Sequence, residues 1–256
     1  CPKKICYKNP FCALIMIHKI RAIVLHHLNY GDTSIIAHLY TDKFGRQSVM
    51  IKGARGQRKN RKISLYHPLA LLEIELYYKE NRDLQQIREA RPIVPLQGLM
   101  VDPLKNTVAL FLAEVFYRTM RESEPNPELF DYLSSSIQYY DLMEDGISLF
   151  HLHIMAHLTR FLGFKPNLNR QDENDWFDLY TGSFSSCSPI HNYRLEPGLS
   201  NKLHQILTSS LDQIQHINIG RNERTLLIEK LIDYYQLHLD GMGEIKSYPV
   251  LKTVFQ

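Results

Sequence analysis

Cysteine is scarce in this chain: Cys1, Cys6, Cys12 and Cys187 are the full set, and three of them precede Met16. No Cys-x2-Cys pair occurs, which argues against both a zinc ribbon and a disulfide framework. Long apolar runs are also missing. None approaches the roughly 18 to 20 residues that a membrane span needs, so no membrane association is expected. Residues 1–15 hold three lysines but neither the apolar core nor the small-residue cleavage site of a signal peptide. With no helical or strand period, they are expected to be a disordered N-terminal extension that contributes nothing essential, on a reduced cytoplasmic protein. Catalytic signatures are absent too. No nucleophile sits with a base, and Gly53-Ala54-Arg55-Gly56 lacks the Gly-Lys-Ser/Thr ending and following helix of a P-loop. The expectation is a non-enzyme with no catalytic residues, no metal and no cofactor.

Acidic residues are missing in one place where cations abound. Lys52 to Lys62 carries six cations and no acid, punctuated by Gly53 and Gly56. The net charge of +3 conceals an asymmetry: residues 16–82 sum to +7, and everything after Arg82 sums to −7. A charge run is ordinarily a solvated loop. Here apolar flanks, Ser48 to Ile51 before it and Leu69 to Leu76 after it, fix both ends on a sheet, and the glycines let backbone approach a polyanion. Cations on a rigid base track a phosphate backbone and release its counterions. The candidate nucleic-acid backbone contacts, DNA-binding residues if the ligand is DNA, are Lys43, Arg46, Lys52, Arg55, Arg58, Lys59, Arg61 and Lys62. Tyr40, Phe44 and Tyr66 lie near strand ends or the loop as candidate base-stacking residues, although such aromatics in a small barrel are at least as often core. Tyr77 and Tyr78 point to opposite faces, so at most one can line a groove.

Period-two patterning predicts five strands, at 17–28, 33–41, 47–52, 69–79 and 84–91, separated by turn compositions such as Asn29-Tyr30-Gly31-Asp32. Five short antiparallel strands in about 75 residues predict a small closed barrel of the OB type. At Arg91-Pro92 the period changes. Asp102-Pro103 and Asn126-Pro127-Glu128 are helix starts, the second helix running to Met143. Further helices are expected over 147–162, 199–214 and 223–239. The fold class is thus α+β and multidomain: a five-stranded OB-fold barrel over 16–91, then an all-α helical bundle over 92–256 with an irregular insertion at about 165–198.

Other clusters carry less. His153 and His157, four apart on one helix, lack a third ligand, and His26-His27 reads as structural. Asp172, Glu173 and Asp175 form an acidic loop. Two alternative functions stay open at this point. A metal-dependent DNA-processing enzyme would need clustered carboxylates, of which the strands offer only Glu73 and Glu75. An RNA-binding OB module is not distinguished by charge.

From Met16 onward the chain resembles the bacterial recombination mediator family RecO. The resemblance lies in the order of Tyr30-Gly31-Asp32-Thr33-Ser34, Thr41-Asp42-Lys43-Phe44-Gly45-Arg46, Lys52-Gly53-Ala54-Arg55 and Pro68 leading into Leu72 to Leu76. Glu128 to Leu133, Leu162-Gly163-Phe164, Ile245-Lys246-Ser247 and Val250-Leu251 continue it. It implies an OB domain and a helical domain, binding of single- and double-stranded DNA, and annealing of complementary strands. It also implies work with RecR, and in some systems RecF, to load RecA onto strands covered by the single-stranded-DNA-binding protein. Many members hold zinc through four cysteines in the insertion, whereas only Cys187 lies between Phe164 and Pro197, so no zinc is expected. The acidic, apolar-ended tail of the single-stranded-DNA-binding protein is an implied ligand. It calls for cations beside apolar helix faces, for which Arg118, Arg121, Arg160 and Lys165 are the candidates. Related sequences place a basic residue where His151 and His153 stand, so tail affinity is expected to rise as pH falls toward 6.

Overall fold

Strand alternation closes the barrel. The computed structural model describes residues 16–54 and 63–255, in which β1 (Met16–Tyr30), β2 (Ser34–Thr41), β3 (Gly45–Ile51), β4 (Leu71–Tyr78) and β5 (Leu84–Pro92) form a closed sheet in the order β1-β2-β3-β5-β4. Neighbours are antiparallel except β3 and β5, which pair in parallel over Ser48–Met50 and Leu84–Gln86. Alternate residues of β2 and β3, among them Ile35, Ala37, Leu39, Val49 and Ile51, point inward and are buried with Ile20, Ala22, Val24, Leu72, Ile74 and Leu76. Each such Leu, Ile or Val contributes roughly 1.5–3 kcal/mol. β1 is longer than its sequence predicts because a bulge between Val24 and His26 resets its phase. Before the bulge Ala22 and Val24 face in; after it His26, Leu28 and Tyr30 face out opposite His38, Ile36 and Ser34.

The described helices are α1 (Gln97–Val101), α2 (Pro103–Thr119), α3 (Pro127–Leu142), α4 (Ile147–Leu158), α5 (Pro197–Thr208), α6 (Arg221–His238) and α7 (Tyr248–Val254). Both predicted Asx caps form: Asp102 Oδ1 accepts from Leu104 N at 2.7 Å, and Asn126 Oδ1 from Leu129 N at 3.0 Å. Two compact units result, Cys1–Gln97 with Leu112–Gln138, and Gly98–Phe111 with Tyr139–Gln256. In the first, the 112–138 stretch packs on the barrel: Phe130 lies 6.4 Å from the Tyr40 ring, and Glu122 O accepts from Arg46 N at 2.9 Å.

In the second unit α4 is the central element. Leu149 through Ala156 are all buried, as expected of a helix apolar on every side. Tyr140 stacks on Phe150 at 3.9 Å, and Tyr235 Oη donates to Met155 O at 2.7 Å. The insertion is irregular for most of its length but not throughout. It holds a three-stranded sheet, β7-β6-β8, of β6 (Trp176–Asp178), β7 (Ser183–Ser185) and β8 (Arg194–Leu195). Strands of two or three residues are too short to show a period, and Phe177 and Leu195 supply their buried side chains. Arg194 braces the sheet by donating to Pro189 O and His191 O and lying 5.3 Å over the Trp176 ring. Two other expectations shift. α5 ends at Thr208, where the Thr208 and Ser209 hydroxyls donate back to carbonyls of the last turn, and the chain then passes into a 3-10 turn at Ile214–His216. The short helices α1 and α7 have no counterpart in the sequence prediction.

Candidate nucleic-acid interface

β3 sets the geometry of the predicted DNA contacts. Lys43 and Arg46 stand at its start and Lys52 just past its end, so rise alone separates Arg46 from Lys52 by roughly 20 Å. Arg55, Arg58, Lys59, Arg61 and Lys62 lie outside the described residues. Lys43 is exposed, with Nζ donating to Lys19 O at 3.0 Å, and Lys52 is exposed. Arg46 is otherwise employed: its guanidinium lies 4.2 Å over the Tyr117 ring and donates to Tyr117 O at 2.9 Å. It is a clamp between β3 and α2 rather than an open phosphate contact.

The predicted stacking aromatics are packed away. Tyr40 is 3% and Tyr66 2% exposed, and burial pushes each hydroxyl up to about 12. Neither offers a ring face to a base, so both are core residues of the barrel. Phe44 is half-buried, with one face stacked on Tyr78 at 4.0 Å and His18 edge-on at 5.1 Å. The strand carboxylates are occupied as well: Glu73 sits between Lys19 and Arg91, and Glu75 pairs with Arg88. Among the described residues no three or more metal-ligating side chains converge.

The outer face of β1, β2 and β3 carries residues that sequence reasoning passed over. Cross-strand register sets His26, His38 and Ser48 in one row, Leu28, Ile36 and Met50 in the next, and Tyr30 beside Ser34. Tyr117 covers the first row, 5.3 Å from His26 and 5.0 Å from His38. Burial and the nearby Arg46 push the His38 imidazole down to about 4, and its Nδ1 lies 2.9 Å from Ser48 Oγ. The other rows are less covered: Leu28 is 40% and Tyr30 50% exposed, while Ile36 and Met50 are half-buried. Beyond Met50 and Gln86, β3 and β5 part around a cleft of about 280 Å³ whose lining includes Met50, Lys52, Leu65, Tyr66, Arg88 and Glu89.

The four predicted tail cations are not brought together within either unit. In the first, Arg118 pairs with Glu114 at 2.9 Å and Arg121 donates to Arg118 O. In the second, Arg160 lies 4.4 Å over the Phe161 ring, and Lys165 is exposed. That unit also brings a different set of cations beside apolar side chains. Between α6 and α7 an apolar slot floored by Ile228, Leu251 and Phe255 is rimmed by Arg221, Arg224 and Lys252, with His151 at its base. Desolvation and the neighbouring Arg221 depress Arg224, and no described carboxylate pairs with either arginine. His151 is buried with Nδ1 unpartnered. Arg221 and Arg224, three apart at a helix start, are the sequence signal that could have revealed this slot. The pH expectation is overturned. Burial holds His151 and His153 down at about 3, so both are neutral at pH 6 and neither strengthens the rim.

The family model described as Recombination protein O N terminal matches residues 16–96, and the one described as Recombination protein O C terminal matches residues 100–249. The chain belongs to the RecO family. The DNA repair protein RecO of Bacteroides fragilis is 37% identical over 241 residues, covering 94% of this chain and all of that protein. That of Azobacteroides pseudotrichonymphae is 34% identical over 240 residues, with the same coverage, and that of Flavobacterium johnsoniae 32% over 238 residues, 93% of this chain and 98% of the relative. RecO matches thus run through both the barrel and the helices. Among the described residues no helix is long and apolar enough to cross a membrane.

Proposed function

We propose that this RecO-family chain serves DNA repair and recombination by binding single- and double-stranded DNA and annealing complementary strands. In this reading it works with RecR, and in some systems RecF, to load RecA onto strands coated by the single-stranded-DNA-binding protein. The observation that carries it is the +7 charge of residues 16–82, with Lys52 leading off β3 into the basic loop on a closed five-stranded barrel. Charge reversal at Arg58 and Lys59 together is the test. Each lost phosphate contact should lower the salt slope of single-strand binding by about 0.7, so the pair lowers it by about 1.4 and slows annealing on precoated templates. An unchanged slope in a folded variant removes the loop from the interface.

The partner tail belongs, in the same reading, to the α6–α7 slot. A terminal apolar side chain would widen the narrow slot to pack against Ile228, Leu251 and Phe255, with its carboxylate beside Arg221 and Arg224, which have no acidic partner among the described residues. Arg221→Glu with Arg224→Glu is expected to weaken a labelled tail peptide at least about tenfold, with Arg160→Glu and Lys165→Glu close to neutral. The reverse pattern in a fluorescence anisotropy titration would return the site to Arg160 and Lys165.

A further inference from the structure

We propose that the less covered rows of the barrel's outer face, Leu28, Tyr30, Ile36 and Met50, with the cleft beside Met50, seat unstacked bases of a single strand. This rests on the DNA-binding reading above and assigns its base-contacting part. Scattered exposed apolar residues on a surface need no explanation. These are not scattered. Leu28 pairs with Ile36, Ile36 pairs with Met50, and Tyr30 closes the edge opposite Ser34, so one contiguous apolar strip crosses three hydrogen-bonded strands. Tyr30 has no ring partner among the described residues, although it ends a strand whose backbone is fixed by pairing.

Charge selects the occupant. The outward positions 26, 28, 30, 34, 36, 38, 48, 50 and 52 include no Asp or Glu, and the strip runs into Lys52 and then the basic loop. Past Met50 the parting of β3 from β5 opens the cleft, whose walls carry Lys52, the acidic Glu89 and Arg88, the last paired with Glu75 at 3.2 Å. An apolar aromatic strip bordered by cations is what a single strand requires: phosphates follow the charge while bases stack on the ring and lie against the apolar side chains. A duplex keeps its bases inside its own stack and cannot use the strip. The face therefore adds affinity for single strands alone, and this component is insensitive to salt.

The full chain is tested with three probes of equal length: an oligothymidylate, an abasic strand with the same phosphates, and a duplex. Tyr30→Ala is expected to weaken oligothymidylate binding at least about fivefold with an unchanged salt slope, to leave duplex and abasic binding alone, and to melt like the parent. Tyr30→Phe should bind as the parent does, since the ring face and not the hydroxyl makes the contact. Leu28→Ala with Tyr30→Ala should bring oligothymidylate binding close to that of the abasic strand. Equal affinity of the unaltered chain for abasic and thymidylate strands overturns the proposal. So does a Tyr30→Ala loss of the same size on all three probes. Failure of the unaltered chain to bind any probe would overturn the DNA-binding reading itself.

Discussion

Gly45→Ala is expected to destabilise the barrel by about 3 kcal/mol or more, lowering the melting temperature by roughly 10 °C. Two causes act together. Gly45 has a φ of +54°, in the left-handed region, which costs an L side chain roughly 1–2 kcal/mol. An added Cβ would also lie 2.5 Å from Glu124 O and 2.7 Å from Glu122 O, and backbone oxygens cannot swing aside as a side-chain tip can. Those carbonyls belong to the link between α2 and α3, which is pressed on the hairpin and held by the Arg46 N to Glu122 O bond at 2.9 Å. Thr41 ties the same turn from inside, its Oγ1 donating to Gly45 O and accepting from Phe44 N. Gly31 is the control. Its φ of +58° is nearly the same, but nothing lies within 4 Å of its added Cβ, so Gly31→Ala should cost only about 1 kcal/mol. Equal melting shifts for the two variants would mean that the link does not press on the hairpin.

The contrast between those glycines marks what sequence can show. Thr41-Asp42-Lys43-Phe44-Gly45-Arg46 reads as a hairpin from composition alone, and the alternation of β2, β3 and β4 predicts a five-stranded barrel within a few residues of its observed strand ends. Which aromatic faces solvent is a different matter. Tyr40 lies in the outward phase of β2 with Ile36 and His38, and on phase alone it should be accessible. Phe130, ninety residues later, covers it, and no local pattern announces so distant a contact. The bulge in β1 has the complementary effect, turning Leu28 and Tyr30 outward where unbroken alternation would put them inside with Ala22 and Val24. The α6–α7 slot was hidden for another reason: α7 spans seven residues, two helical turns, too few for a recognisable apolar stripe.

Acid is expected to destabilise the second unit well before its carboxylates titrate. His151 and His153 are each 3% exposed, and each has Nδ1 without a hydrogen-bond partner. Burial, reinforced by Arg224 for His151 and by His157 for His153, lowers both from an ordinary value near 6.5 to about 3. Folded-state values depressed below the unfolded ones mean that between pH 6.5 and 3 the unfolded chain holds two protons that the folded chain lacks. Stability therefore stays at its maximum above pH 6.5 and falls as pH drops through that window, by up to about 2.7 kcal/mol per pH unit for the pair. His38, held at about 4 but half-exposed, acts in the same direction more weakly. Denaturant unfolding at pH 7.5, 6.5, 5.5 and 4.5 measures the slope, and His151→Phe with His153→Leu should remove most of it. A parent stability that is flat from pH 6.5 to 5 would show that the two imidazoles find a proton acceptor or water on protonation. Because both rings remain neutral down to the pH at which the fold itself weakens, the positive charge at the slot's rim comes from Arg221 and Arg224, with Lys252 already paired with Glu229 at 2.9 Å. Tail-peptide affinity should accordingly be level between pH 8 and 6, and a rise across that interval would require an imidazole to become charged in the bound state.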